Sequence, residues 1–183
     1  MRIVDLYVIY IYCLLNLNLT EKLRTMSLTL AKAEKKDINR INDLFIEMLQ
    51  NIYNTNQVNG YSDGALNRFF DGRDEWICIA VDGENIVAFL SIEVHHEDKD
   101  YIYLDDLSVT KQYRNNGIGT KLISKAEAYA NEINVPTICF HVEKSNIAAL
   151  RLYERLGYVI YEDQGNRYLM IKNVHTKPNS SDR

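Results

Sequence analysis

The sequence predicts a mixed α/β fold of the α+β type, built around a central, mostly antiparallel sheet. Strand-like apolar runs alternate with segments of helical periodicity, in the order strand, two helices, three strands, helix, strand, helix, two strands. The group of three strands and the final pair each follow one another without an intervening helix. Strands joined by short connections pair antiparallel, so most of the sheet is expected to be antiparallel.

Strands are predicted where β-branched and aromatic residues cluster in short apolar runs. The dipeptide Asp82-Gly83 between two such runs is a hairpin signal. Residues 95–100 form a polar connection between two later strands. The predicted strands cover residues 28–33, 76–81, 86–94, 101–109, 137–142, 158–161 and 167–171.

The first half of the chain also contains an amphipathic helix and a polar loop. Asp37 has the position of a helix N-cap, and apolar residues then recur at helical spacing over 38–52. One face of this helix is therefore apolar. A turn-rich stretch over 54–64 follows, and a short helix is predicted over 65–70.

The second half contains two further helices. Apolar residues at helical spacing over 118–133 mark a long amphipathic helix. A shorter helix begins at Ser145 or Asn146, both of which are good N-cap residues. It ends before Gly157, because glycine favours the left-handed conformation found just after helix ends.

The chain of 183 residues, 46% of them hydrophobic, is long enough for one domain with a substantial core. We expect this domain to span 26–173, after an N-terminal extension over 1–25 and before a disordered tail over 174–183. The apolar run from Leu6 to Leu15 is too short to cross a bilayer as a helix. No cleavage signal follows it, and a membrane-surface anchor is the alternative interpretation.

Charge and cysteine usage exclude several classes of protein. The formal net charge is -4, without the basic surplus of a nucleic-acid-binding protein. The cysteines Cys13, Cys78 and Cys139 have neither metal-ligand nor disulfide-framework spacing. We therefore predict no metal site, and we expect reduced thiols and a cytoplasmic location.

The segment from Tyr113 to Thr120 (YRNNGIGT) follows a predicted strand and opens a predicted helix. Gly117 and Gly119 let backbone N–H groups crowd around an anion without hindrance from Cβ atoms. The helix N-terminus adds unpaired N–H donors and a positive dipole end, and Arg114 adds a charge-assisted contact. The segment thus predicts a phosphate-binding loop. It has neither the dinucleotide-binding fingerprint nor the Gly-Lys-Ser/Thr of a Walker A loop.

A second motif lies downstream in SNIAALRLYERLGY, where Asn146, Ala149 and Tyr153 occupy positions i, i+3 and i+7 on one helix face. Together with the upstream R-x-x-G-x-G loop, it resembles the signature of the GNAT acetyltransferase superfamily. That signature is a Q/R-x-x-G-x-G/A loop followed by N-x-x-A-x-x-x-Y-x-x-x-G-F/Y. The two motifs have the order and separation found in the family.

The resemblance covers roughly residues 28–172 and implies the GNAT fold, a twisted central sheet with helices on both faces. It also implies acetyl-CoA as co-substrate. The loop amides would hold the CoA pyrophosphate, the preceding strand would pair with the pantetheine arm, and Asn146 would hydrogen-bond the CoA arm. The implied cofactor-binding residues are Leu107, Val109, Arg114, Asn115, Asn116, Gly117, Ile118, Gly119, Thr120, Asn146 and Ala149.

The resemblance assigns the acid that protonates the CoA thiolate to Tyr153. The attacking amine must lose a proton, so a carboxylate or a water chain is required as base. Asp105 and Asp106 lie in YLDDLSV on the cofactor strand, and alternation predicts that they point to opposite faces. In polyamine-acetylating relatives a Glu-Asp pair occupies this segment. Its first member matches Asp105, which is therefore favoured over Asp106.

The resemblance implies direct acetyl transfer to a primary amine without a covalent enzyme intermediate. The expected acceptor is a small molecule of the polyamine, amino acid or antibiotic type. A protein N-terminus or lysine is the alternative acceptor, and a non-catalytic acyl-CoA-binding sensor is the alternative function. No nucleic-acid or membrane partner is expected, and association into a homodimer is left open. Candidate walls of the acceptor pocket are Tyr53, Tyr61, Phe69 and Phe70.

Overall fold

The structure is a computed structural model that describes residues 27–71, 74–96 and 99–174. The predicted extension over 1–25, its Cys13, and residues 175–183 of the predicted tail lie outside the described residues. The predicted domain boundaries therefore stay predictions. Val174 is described, and its N–H donates to the carbonyl of Pro136 at 2.8 Å. In the described part of the chain, no helix is long and apolar enough to cross a membrane.

The described residues form one sheet of seven strands. They are β1 (Leu28–Lys32), β2 (Trp76–Asp82), β3 (Asn85–His96), β4 (Asp100–Val109), β5 (Thr137–Glu143), β6 (Val159–Gln164) and β7 (Arg167–Asn173). The order across the sheet is β1-β2-β3-β4-β5-β7-β6. Every neighbouring pair is antiparallel except β4 and β5, which are parallel. The predicted, mostly antiparallel sheet is therefore confirmed, and the parallel pair is the one joined through a helical crossover.

Helices cover both faces of this sheet, as the family resemblance implied. They are α1 (Ile38–Tyr53), α2 (Ile118–Glu132) and α3 (Ile147–Arg155), with 3-10 turns at Lys35–Asp37, Asn67–Phe70 and Lys111–Tyr113. Ile41 and Leu44 of α1 pack with Phe89 of β3 in one buried cluster. Leu122 and Ala126 of α2 belong to a second buried cluster, which α3 also contacts. Alternate residues of the strands divide between the two clusters, because successive side chains of a strand point to opposite faces.

β4 and β5 separate after a short parallel ladder. Within β4, Tyr101, Ile102 and Tyr103 pair with β5, although β4 continues to Val109. β5 meanwhile pairs with β7 on its other edge from Thr137 to Glu143. The strands therefore diverge, and their facing edges leave backbone N–H and C=O groups free to bond another extended chain.

A β-bulge interrupts the pairing of β3 with β4. Ser91 of β3 lies opposite both Asp105 and Asp106 of β4, because the register shifts by one residue at this point. An extra residue of this kind disturbs the alternation of side chains between the two faces of a strand. The bulge therefore decides where the two aspartates point.

Two details differ from the predicted elements. β3 continues to His96 and β4 begins at Asp100, so part of the predicted polar connection over 95–100 is strand. Asp37 occupies the N-cap position of α1 as predicted, but its side chain makes no capping hydrogen bond to that helix. Its carboxylate instead accepts a hydrogen bond from the N–H of Glu34 at 2.8 Å, which caps the preceding 3-10 turn.

Candidate active site

A groove of about 890 Å³ lies between the end of β4, the loop that leads into α2, and α3. Residues of α1 close its remaining side. All the predicted cofactor-binding residues except Asn116 line it, namely Leu107, Val109, Arg114, Asn115, Gly117, Ile118, Gly119, Thr120, Asn146 and Ala149. Folding therefore brings the two sequence motifs together around one cavity.

The loop between β4 and α2 has the backbone geometry that an anion-binding site requires. Gly117, the N-cap of α2, has a φ of 75°, and Asn115 has a φ of 62°, so both adopt the left-handed conformation. The first-turn N–H groups, from Ile118 to Thr120, have no partner within the helix and belong to residues that line the groove. The Asn116 side chain braces the loop by donating to two preceding carbonyls, at 3.2 and 3.1 Å.

Gly119 permits a close approach between α2 and α3. A Cβ atom here would lie 3.3 Å from Cδ2 of Leu152 in α3 and 4.0 Å from Cδ2 of Leu107 in β4. A larger side chain would have to displace α3 or extend into the groove. The two glycines of the loop are thus required for different reasons. Gly117 adopts a left-handed conformation, and Gly119 leaves room for α3 to pack closely.

Glu47 of α1 clamps the entrance of the loop. Its carboxylate accepts hydrogen bonds from the Thr110 hydroxyl at 2.8 Å and the Lys111 N–H at 2.7 Å, and it lies 3.7 Å from the Arg114 guanidinium. Arg114 also donates from Nε to the carbonyl of Val109 at 2.8 Å. Because a guanidinium has five N–H donors, Arg114 fixes the loop to β4 and keeps donors for an anion in the groove.

The backbone of Leu107 and Val109 faces the open edge of β4. The N–H of Thr110 bonds the carbonyl of Val87 in β3 at 2.9 Å. Alternate residues of a strand direct their backbone groups to opposite neighbours, so Leu107 and Val109 direct theirs into the gap left by β5, where the Val109 carbonyl already accepts from Arg114. An extended chain that carries amides could therefore pair with this edge.

α3 forms the opposite wall of the groove. Its N-cap is Asn146, whose Oδ1 accepts a hydrogen bond from the N–H of Ala149 at 3.2 Å. Gly157, with a φ of 85°, follows its C-terminus as predicted. Arg155 also lines the groove and adds a second cation that the sequence analysis did not select. Arg155 lies seven residues after Ala148, which also lines the groove, so helical spacing could have indicated it from the sequence.

Tyr153 packs on the core side of α3. Its ring centroid lies 4.1 Å from that of Phe140 in β5 and 6.1 Å from that of Tyr158, and Tyr153 is not among the residues that line the groove. Burial raises the pKa of Tyr153, so its hydroxyl stays protonated at neutral pH. Its predicted contact with the CoA sulfur stays a prediction.

The side chains of Asp105 and Asp106 lie on the same face of the sheet, so the prediction that they point to opposite faces is wrong. Asp106 accepts a hydrogen bond from the Tyr61 hydroxyl at 2.6 Å. Asp105 lies within electrostatic range of Arg68, which belongs to the same segment after α1 as Tyr61. The β-bulge is the cause, because its extra residue breaks the alternation on which the prediction depended.

The acidic residues at the bulge shift one another's pKa. Desolvation raises the pKa of Asp105 to about 7, and the charges of Asp106 and Glu93 add to this rise while Arg68 opposes it. Burial also raises the pKa of Asp106, and the hydrogen bond from Tyr61 acts against that rise. Glu93 is 8% exposed and forms an ion pair with Arg68. A carboxyl with a pKa near 7 is suited to accept a proton at neutral pH.

A tyrosine and a histidine that the sequence analysis did not assign lie beside this cluster. The Tyr103 hydroxyl shares a hydrogen bond of 2.8 Å with Nδ1 of His141, whose Nε2 lies 3.0 Å from Oε1 of Gln164. Desolvation and the charge of Arg167 lower the pKa of His141, so its ring is neutral at pH 7 and able to accept a proton. Tyr103 could have been selected from the sequence because it precedes Asp105 by two positions, and such residues share a strand face.

The groove and the carboxylate cluster lie on the same stretch of β4. Asp105 precedes Leu107 by two residues, which corresponds to about 7 Å along a strand. The groove offers backbone donors, two guanidinium groups and an unpaired strand edge, which together suit a molecule with phosphates and amides. Among the described residues, no group of three or more His, Cys, Asp and Glu side chains is placed to hold a metal ion.

Solved structures share this architecture. The crystal structure of PaiA N-acetyltransferase from Thermoplasma acidophilum, in complex with coenzyme A, matches with a TM-score of 0.67. The match covers 81% of this chain and 99% of that one, at 16% sequence identity. At this identity the likeness shows the fold, and it confirms the fold that the sequence motifs implied.

A family model identifies the family, and named relatives agree with it. An uncharacterized N-acetyltransferase from Methanocaldococcus jannaschii is 29% identical over 157 residues, which are 81% of this chain and 92% of the relative. Human N-alpha-acetyltransferase 30 is 34% identical over 95 residues, which are 50% of this chain. The match spans only 26% of the human protein's length. The model of the acetyltransferase (GNAT) family matches residues 46–158, more than half of the chain. The chain therefore belongs to the GNAT acetyltransferase family.

Proposed function

We propose that the protein is an acetyl-CoA-dependent N-acetyltransferase that moves an acetyl group onto a primary amine of a small molecule. The observation that carries the proposal is the position of Asp105. This carboxyl, with a pKa of about 7, lies on the strand whose next residues line an anion-binding groove. Family membership supports the reaction class, and the Thermoplasma neighbour was crystallised with coenzyme A.

Acetyl-CoA suits the groove in its chemistry. The N–H groups at the start of α2 would hold the pyrophosphate, and Arg114 and Arg155 would supply positive charge to the phosphates. The open edge of β4 would pair with the amides of the pantetheine arm, in the way that an added strand binds a sheet edge. With the arm in that direction, the thioester would lie close to Asp105.

Asp105 is the proposed base. A primary amine is an ammonium ion at neutral pH, and it must lose a proton before its nitrogen attacks the thioester carbonyl. Ionised Asp105 takes that proton, the new carbon–nitrogen bond forms, and the carbon–sulfur bond breaks to release the CoA thiolate. Tyr153, whose raised pKa keeps its hydroxyl protonated, gives a proton to the thiolate. The nitrogen loses its second proton as the amide forms, and that proton restores the Tyr153 hydroxyl. A backbone N–H of β4 would stabilise the negative charge on the carbonyl oxygen.

Side chains that crowd part of the acceptor face favour a small amine, although Asp105 itself is exposed. Tyr61 and Arg68, from the segment after α1, contact Asp106 and Glu93 and so cover part of the carboxylate cluster. A peptide acceptor would need an open groove at this face. The similarity to human N-alpha-acetyltransferase 30 favours a protein N-terminus as the alternative acceptor.

The proposal also includes a cytoplasmic, homodimeric enzyme. Cys78 and Cys139 are free thiols, as a reducing compartment would keep them. Val159, Ile160 and Tyr161 are 60%, 49% and 68% exposed on β6, which is the last strand of the sheet. Exposed apolar side chains on an edge strand favour association with another chain. Light scattering on the full chain tests this, and a monomer at all concentrations would contradict it.

A panel of primary amines tests the proposed reaction. Polyamines, amino acids, amine-bearing antibiotics and short peptides would be incubated with acetyl-CoA, with release of free CoA and acetylated product both measured. We expect turnover with at least one small amine and far less with the peptides. Turnover confined to peptides would establish the alternative acceptor. Binding of acetyl-CoA without any turnover would overturn the enzyme proposal and favour an acyl-CoA sensor.

A further inference from the structure

We infer that Tyr61 decides which of the two adjacent aspartates holds the titrating proton, and thereby makes Asp105 the base. Tyr61 touches Asp106 and acts on Asp105 through it, so it is a positioning residue. This inference rests on the proposed function, since it concerns the same acceptor site.

Tyr61 is held at three points. Its backbone N–H donates to Oδ1 of Asn42 in α1 at 2.8 Å, and its ring stacks on Phe45 with centroids 3.9 Å apart and an interplanar angle of 18°. Its hydroxyl donates to Oδ2 of Asp106 at 2.6 Å. A Cβ atom at Gly60 would lie 2.2 Å from Oδ1 of Asn42, so only glycine permits this approach. The tyrosine is therefore fixed in the orientation that serves Asp106.

The hydrogen bond from Tyr61 treats the two aspartates differently. A hydroxyl that donates to a carboxylate favours its ionised form, and such bonds to a charged acceptor are stronger than neutral ones. Tyr61 makes this bond to Asp106 and not to Asp105. The anion at Asp106 then favours a proton on Asp105, because adjacent like charges disfavour each other.

The other charged groups at the bulge do not make this choice in the same way. The charge of Glu93 in β3 raises the pKa of both aspartates, and a side-chain hydrogen bond with Glu93 raises that of Asp105 further without stabilising an anion on either aspartate. Arg68 of the Asn67–Phe70 turn lowers the pKa of both. Tyr103 of β4 lies near Asp105, but burial raises its pKa to about 12, so it stays neutral. Among these described groups, Tyr61 is the one whose hydrogen bond stabilises the anion of a single member of the pair.

A site-specific titration of the aspartate carboxyls tests the inference. Carbon-13 NMR of the full chain, with signals assigned by Asp105→Asn and Asp106→Asn, would follow both groups from pH 4 to 9. In the wild type we expect Asp105 to titrate near neutral pH and Asp106 below it. In Tyr61→Phe, which keeps the ring, the Asp106 midpoint should rise by about one pH unit. The neutral-range proton should then move in part from Asp105 to Asp106.

A graded variant and a matched control accompany Tyr61→Phe. Asn42→Ala loosens the tyrosine without removing its hydroxyl, so it should shift Asp106 in the same direction by a smaller amount. Tyr129→Phe removes a tyrosine hydroxyl that bonds the carbonyl of Asp74 at 3.0 Å, and both midpoints should stay at wild-type values.

An Asp106 titration that is identical in the wild type and Tyr61→Phe would overturn the inference. The measurement needs no acceptor amine, so it is independent of the amine panel. A protein with the expected titrations that acetylates no amine would overturn the proposed function and leave the role of Tyr61 intact.

Discussion

The groove and the carboxylate cluster share strand β4 but are built from different materials. The groove depends on backbone: a left-handed Gly117, a Gly119 without Cβ, and the N–H groups that open α2. The cluster depends on side chains that come from distant parts of the chain. Tyr61 precedes the Asp106 that it contacts by 45 positions.

This difference determines how each region responds to substitution. A groove made of backbone should tolerate side-chain changes that preserve conformation, and fail when a Cβ atom or a charge enters it. A cluster made of ionisable side chains should keep its shape after an isosteric change and lose its protonation pattern. Changes to the groove are therefore expected to alter binding, and changes to the cluster to alter turnover and its pH dependence.

The largest effect is expected at Tyr153 in α3. This helix borders the groove, but the proposed role of Tyr153 is in the chemical step and not in binding. Tyr153→Phe removes the hydroxyl and keeps the ring packed on Phe140. Loss of a general acid typically lowers the rate by about 10²–10⁴-fold, so turnover should fall by that amount while acetyl-CoA affinity is kept. Steady-state kinetics and calorimetry measure the two quantities. Tyr129→Phe, which removes a hydroxyl that bonds the Asp74 carbonyl at 3.0 Å, should match the wild type. Wild-type turnover in Tyr153→Phe would reduce the residue to core packing.

A smaller effect, confined to binding, is expected from Gly119→Asp. The new side chain would crowd Leu152 and place a negative charge beside the proposed phosphate site. Juxtaposed like charges cost several kcal/mol, so acetyl-CoA affinity should fall by about 100-fold or more. Gly165→Asp adds the same charge at a hairpin glycine with open space around it and a φ of 77°, and should bind normally. Equal calorimetric affinity in the two variants would break the assignment of the groove.

The residues that line the groove could be selected from the sequence because their determinants are local. Glycine spacing, a strand-to-helix turn and an N-cap all lie within a few residues of one another, and the φ of 62° at Asn115 suits a residue that tolerates the left-handed region. Arg155 was not predicted as a site residue because basic residues are common in the last turn of a helix, where they interact favourably with the helix dipole.

The geometry of the carboxylate cluster was predicted less well because it depends on register and on long-range contacts. Strand alternation separates Asp105 from Asp106, and a one-residue register shift opposite Ser91 cancels that separation. The residues of the YLDDLSV segment do not by themselves indicate a bulge. The hydrogen bond between Tyr103 and His141 likewise requires β4 and β5 to be neighbours, which is a property of the whole sheet.

The pH dependence of kcat/KM in the wild type and in Asp105→Asn, with an amine that the panel identifies, tests the central claim most directly. Asp105 must be ionised to accept a proton, so wild-type kcat/KM should fall about tenfold per pH unit below a pKa of about 7. Asp105→Asn should be slower by about 10²-fold or more and should lose this limb. Asp106→Asn should keep the limb at a lower pH, because it removes the neighbouring negative charge. If Asp105→Asn keeps both the wild-type rate and the limb, Asp105 is not the base.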